Sequence, residues 1–225
     1  MGTAKSVGWI IGVLLLVQAV AGALVNFVLL APVMKAAPGF LVSAAANSLH
    51  VSIAAMVGLA AGAISLGIAI TAWPVFRQLS ERMALGFVAL AVVGLSLAAV
   101  ESASVLSMLS LSQAYANAGA ADASVFETLG AGVRSARKWA HYTHLLVESG
   151  TLFVLYSLLY RFTLVPRALA AFGLFGVVLQ FTALTMPIFG QPMLFQLLTP
   201  IGLAHLALAL WLITKGLAER QPLPR

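Results

Sequence analysis

The chain has 225 residues, 62% of them apolar and 8% charged, with a net charge of +6 and no cysteine. Soluble domains carry about 25% charged residues, so a water-facing globular surface is excluded, as are disulfides, thiolate metal sites and cysteine nucleophiles. The positive balance reads as cytoplasmic loops facing anionic lipid headgroups rather than as a nucleic-acid footprint.

At about 20 residues per span, the length accommodates about six helices. Ser6 to Met34 carries no charge and predicts a first helix at 8–31. That run is too long for a signal-peptide core and shows no clear cleavage site, so it is expected to stay uncleaved. A break at Pro38-Gly39 precedes helix two, predicted at 46–73 and closed by Trp73-Pro74. Helix three is expected at 83–112. A long Ala- and Gly-rich connection follows at 113–137, carrying Asp122, Glu127, Arg134 and Arg137. Helices four, five and six are expected at 138–162, 167–188 and 194–216, with Pro187, Gly190 and Pro192 turning the chain between the last two. Barrel strands alternate in polarity over about ten residues, and these continuous apolar runs do not. The expected fold is therefore all-α: a polytopic membrane protein whose residues 1–225 form a single domain of six transmembrane helices.

Orientation follows from lysine and arginine. With the N-terminus inside, the inner segments hold Lys5, Arg77, Arg82, Arg161, Arg167, Lys215, Arg220 and Arg225, against Lys35, Arg134, Arg137 and Lys138 outside. That asymmetry predicts both termini in the cytoplasm of a multi-pass inner (plasma) membrane protein. Trp9, Trp73, Trp139 and Trp211 all fall near predicted helix ends, as interfacial anchors do. Arg82-Met-Ala-Leu-Gly-Phe faintly echoes Arg167-Ala-Leu-Ala-Ala-Phe, each opening a helix from a basic inner turn.

Ionisable side chains within the bilayer are costly, and each is a functional hypothesis by default. The set comprises Glu101 on helix three, His141, His144 and Glu148 on helix four, His205 on helix six and His50 at the outer end of helix two, with Asn26 and Gln18 as weaker members. At about 1.5 Å per residue, His141, His50, His144 and Asn26 lie roughly 3 to 8 Å below the outer boundary. Glu148, Glu101 and His205 lie roughly 14 to 17 Å down. All four histidines and both glutamates thus map to the outer half.

Helix four gives the densest pattern. His141, His144 and Glu148 share one face, and His144 with Glu148 forms an i, i+4 hydrogen-bonding pair. The plainest reading is a packing network in which Glu148 satisfies His144 and Glu101 pairs with His205. Imidazole and carboxylate together also suit iron, zinc, copper or manganese, which makes Glu101, His141, His144, Glu148 and His205 candidate metal ligands. Haem would take His50 and His144 as the best facing pair. The repeated glutamate-x-x-histidine pair of di-iron bundles is missing, as are a phosphate loop, a Gly-x-Ser-x-Gly elbow and His-Glu-x-x-His. Gly58, Gly62, Gly67, Gly173 and Gly176 read as sites of close helix packing, and the scattered methionines as packing rather than copper ligands.

Gly150-Thr-Leu-Phe-Val-Leu-Tyr-Ser-Leu-Leu-Tyr160, then Val165-Pro-Arg-Ala-Leu-Ala, then Trp211-Leu-Ile-Thr-Lys-Gly216 resembles a bacterial family of six-helix integral membrane proteins known only as a domain of unknown function. The likeness lies in helices four to six, with the first half matching in layout. It implies fold and topology and brings no activity with it. Where that pattern has an acidic residue six positions before the tryptophan, this chain has His205.

The leading functional expectation is a membrane protein that holds a metal ion or haem in a His/Glu pocket of the outer half, for redox chemistry. The alternatives are a small proton-coupled transporter or channel component, with Glu101, Glu148 and His205 as a relay, and a structural accessory subunit. The lipid bilayer is the expected partner. A second copy of the chain or another membrane protein stays open.

Overall fold

Apolar residues that keep every backbone group bonded within the segment dictate helices, and the computed structural model is all-α. It describes residues 3–35, 39–118 and 123–218; Pro38, Asp122, Arg220 and Arg225 lie outside these. Helix α1 covers Thr3–Ala23 and passes into a π-helical stretch, Leu24–Leu29, then α2, Ala31–Lys35. Next come α3 (Phe40–Ala46), α4 (Ser48–Leu79), α5 (Glu81–Asn117) and α6 (Ala123–Arg161). Helix α7 (Arg167–Thr185) leads through two 3-10 turns, Met186–Phe189 and Phe195–Leu198, into α8 (Thr199–Thr214). Five segments are long and apolar enough to cross a membrane: Ala4–Met34, Ser48–Leu79, Glu81–Asn117, Arg167–Phe189 and Phe195–Thr214. That fits a multi-pass membrane protein in a lipid environment.

Several expected boundaries move. The connection expected at 113–137 is largely helix: α5 continues to Asn117, and α6 starts at Ala123 and runs 39 residues without a break. Helix α4 does not stop at Trp73-Pro74 but carries Pro74 within it and ends at Leu79. The short α3 was not foreseen. At 1.5 Å per residue, α6 is about 58 Å long, well beyond a hydrocarbon core of about 30 Å. Interfacial tryptophans therefore need not sit at helix ends, and Trp73 and Trp139 lie inside α4 and α6.

The chain divides into two compact units. The first takes residues 1–19, 64–94 and 145–225. Its core joins Ile11 and Leu15 of α1, Phe76 of α4, Phe87 of α5, Tyr156 and Leu158 of α6, Val177 of α7 and Leu208 of α8. Glycine lets α7 and α8 meet at backbone distance: a Cβ on Gly176 would stand 2.8 Å from the Ile201 nitrogen. At Gly173 it would enter the Tyr156 ring.

The second unit takes 20–63 and 95–144, with Val25, Leu29, Val33, Ala44, Val51, Val105 and Leu109 in its core. Its polar links are hydroxyls. Ser112 Oγ accepts from the Ala45 N–H at 2.8 Å and donates to the Leu41 carbonyl at 2.7 Å, which ties α3 to α5. Ser43 Oγ donates to the Val33 carbonyl at 2.7 Å and ties α3 to α2. Ser102 Oγ of α5 reaches the Ala55 carbonyl of α4 at 3.0 Å.

Candidate functional site

In the second unit, α5 supplies one carboxylate and α6 supplies two imidazoles to it. His141 Nδ1 lies 2.8 Å from Glu101 Oε1, and His144 Nδ1 lies 2.8 Å from Oε2. The rings reach the same carboxylate because three residues separate them on one helical face. An ionised carboxylate only accepts, so each ring presents an Nδ1–H to it. The side chains retain 16% exposure for Glu101, 23% for His141 and 18% for His144. All three side chains are thus mostly buried within the unit.

Arg137 stands one turn before His141, within electrostatic reach of Glu101 and of Tyr142. Its Nε is buried without a hydrogen-bond partner among the described residues. The expected long connection hid this residue. The signal was available, since 137, 141 and 144 follow one helical face once the helix is allowed to start earlier. Around the cluster, the Trp139 and Tyr142 rings meet edge to face at 6.0 Å, and Lys138 Nζ lies 5.1 Å from the Trp139 centroid.

Glu148 belongs to the first unit, where its two oxygens share the Ser65 hydroxyl at 3.3 Å each and Oε2 faces Gly94. Nearby, the buried Gln180 donates from Nε2 to Ser149 Oγ at 3.0 Å, a link between α7 and α6 that the sequence reading did not name. His205 of α8 is half-buried in the first unit and forms no hydrogen bond or ion pair with the described residues. The expected pairing of Glu101 with His205 is thus replaced by the two imidazoles of α6. His50 is exposed and likewise unbonded among the described residues. Asn26 turns its amide onto the Gly22 carbonyl of its own helix.

Chemically, the cluster can hold and pass a proton between two imidazoles through a shared carboxylate. Among the described residues no group of three or more His, Cys, Asp or Glu is placed to hold a metal ion. Both Nδ1 atoms are engaged with the carboxylate, one on each oxygen.

Over residues 10–216 the chain matches the model of the family described as domain of unknown function DUF4386, and it belongs to that family. No curated protein and no solved structure matches it.

Proposed function

We propose that the chain is a proton-handling inner-membrane protein, a small proton-coupled transporter or channel component, with Glu101, His141 and His144 as its protonation site and Arg137 as the neighbouring counter-charge. One observation carries this reading: a single carboxylate takes both imidazole Nδ1–H groups at 2.8 Å. Such a chain of donors and acceptors can change its proton count without moving a helix. The reading includes six spans with both termini inside, the sixth being α6 from about residue 138 onward. The ionisable face of α6 lowers its mean hydropathy below that of the other five, which accounts for its absence from the segments that pass on composition alone. The eight-to-four distribution of basic residues supports the orientation.

The test is proton flux. The full chain in vesicles with an internal pH-sensitive dye should dissipate an imposed pH gradient faster than empty vesicles, and Glu101→Gln should remove the difference. Equal decay for wild type and Glu101→Gln would overturn the proposal.

A second reading keeps the metal ion or haem. A carboxylate that holds histidine Nδ1–H is a common arrangement behind a metal bound on Nε2, and His141 and His144 both turn Nδ1 to Glu101. Metal bound to the purified chain, or a Soret band, that falls in His144→Gln would support it. Protein free of metal and of colour would reject it.

A further inference from the structure

Besides the Glu101 cluster, the second unit contains a cleft of about 530 Å³ lined by Phe40, Leu41, Glu127, Gly130, Arg134 and Lys138. Gly130 lets α3 lie close to α6, since a Cβ there would stand 3.1 Å from a Leu41 methyl carbon. Arg134 Cζ lies 5.2 Å from the Phe40 ring centroid. One face of the guanidinium is thereby covered while its edge N–H groups stay open for a bidentate acceptor. Lys138 Nζ lies 5.1 Å from the Trp139 centroid and 5.7 Å from that of Tyr142. Aromatic and basic side chains in this combination mark headgroup depth.

Glu127, Arg134 and Lys138 share one face of α6 at spacings of seven and four, and none forms a hydrogen bond or ion pair with another described residue. Two cations one turn apart, beside an aromatic and aliphatic wall, complement a phosphodiester and the glycerol carbons behind it. Glu127 sits about 10 Å further toward the helix start, and the long Arg134 side chain leans that way. An acid at this position works against a purely anionic headgroup and complements an ammonium.

We propose that this cleft binds the headgroup of an ethanolamine glycerophospholipid, with its phosphate on Arg134 and Lys138 and its ammonium toward Glu127. The proposal rests on the topology above, which places residue 138 at the membrane–water interface, and it is independent of proton handling.

Native mass spectrometry of the full chain in detergent, titrated with short-chain phosphatidylethanolamine or phosphatidylglycerol, provides the test. Wild type should retain the ethanolamine lipid preferentially. The double variant Arg134→Gln, Lys138→Gln should weaken its binding about tenfold or more. Glu127→Gln should erase the preference over phosphatidylglycerol, and this arm decides alone if the double variant does not fold. Wild-type affinity in the double variant, or an intact preference in Glu127→Gln, would overturn the proposal. So would displacement of the lipid by an equal concentration of soluble phosphoethanolamine, which would make the ligand a free solute. Failure of the topology is read separately: Ser135→Cys on this cysteine-free chain should react with an impermeant maleimide added outside, whatever the lipid result.

Discussion

Glu101 holds both of its imidazole partners through charge-assisted hydrogen bonds, so the shape of its replacement matters as much as the charge. Glutamine keeps one carbonyl acceptor for one ring, and its NH2 can donate to the other ring once that ring shifts its proton to Nε2. Glu101→Gln should therefore stay within about 1 kcal/mol of wild type in thermal unfolding while losing proton exchange. Glu101→Ala leaves two ring donors unmet and should cost about 1–3 kcal/mol. A stability loss as large for glutamine as for alanine would mean that the charge itself holds α5 to α6. Tyr156 poses the opposite case. Its ring is fully buried and its hydroxyl has no hydrogen-bond partner among the described residues. Tyr156→Phe removes an unsatisfied polar atom and should be neutral or stabilising by up to about 1 kcal/mol. A clear drop in melting temperature would show that the hydroxyl is satisfied in the membrane.

At the scale of the helices, close approach rather than glycine content decides which glycines matter. Gly173→Ala would drive a methyl into the buried Tyr156 ring, and overpacking of that kind costs about 1–3 kcal/mol. Gly67→Ala meets nothing within 4 Å and should gain about 0.5–1 kcal/mol from helix propensity. Melting of the two variants should move in opposite directions, and movement in the same direction would contradict the packing described. The sequence reading assigned both glycines to helix contacts, because spacing marks small residues without showing what stands opposite them. Helix α6 was misread for a related reason. Its first half holds Gly130, Gly132 and several charges, which locally favour a loop, yet the contact of Leu41 with Gly130 packs that half as helix. Starting the helix at 138 then separated Arg137 from His141. Glu101, His141 and His144 were each named from sequence as costly intramembrane groups. Their pairing was not legible, because the i, i+4 rule sees only partners on one helix, and Glu101 arrives from another.

For the molecule as a whole, membrane class was readable from composition alone, and the five apolar segments agree with it. The proposed count of six spans depends on α6, whose ionisable residues leave it outside the five segments that pass on length and composition. Orientation is tested on single-cysteine variants in right-side-out vesicles. Arg77→Cys should be protected from an impermeant maleimide and Ser135→Cys labelled, and the reverse pattern would invert the topology. The central claim, that one carboxylate couples two imidazoles into a single protonation site, is tested most directly by nitrogen NMR of the histidine rings across pH. His141 and His144, assigned through His→Gln variants, should both report the same two macroscopic protonation steps in the wild type and one step each in Glu101→Gln. Independent titration in the wild type, unaltered by Glu101→Gln, would contradict the account.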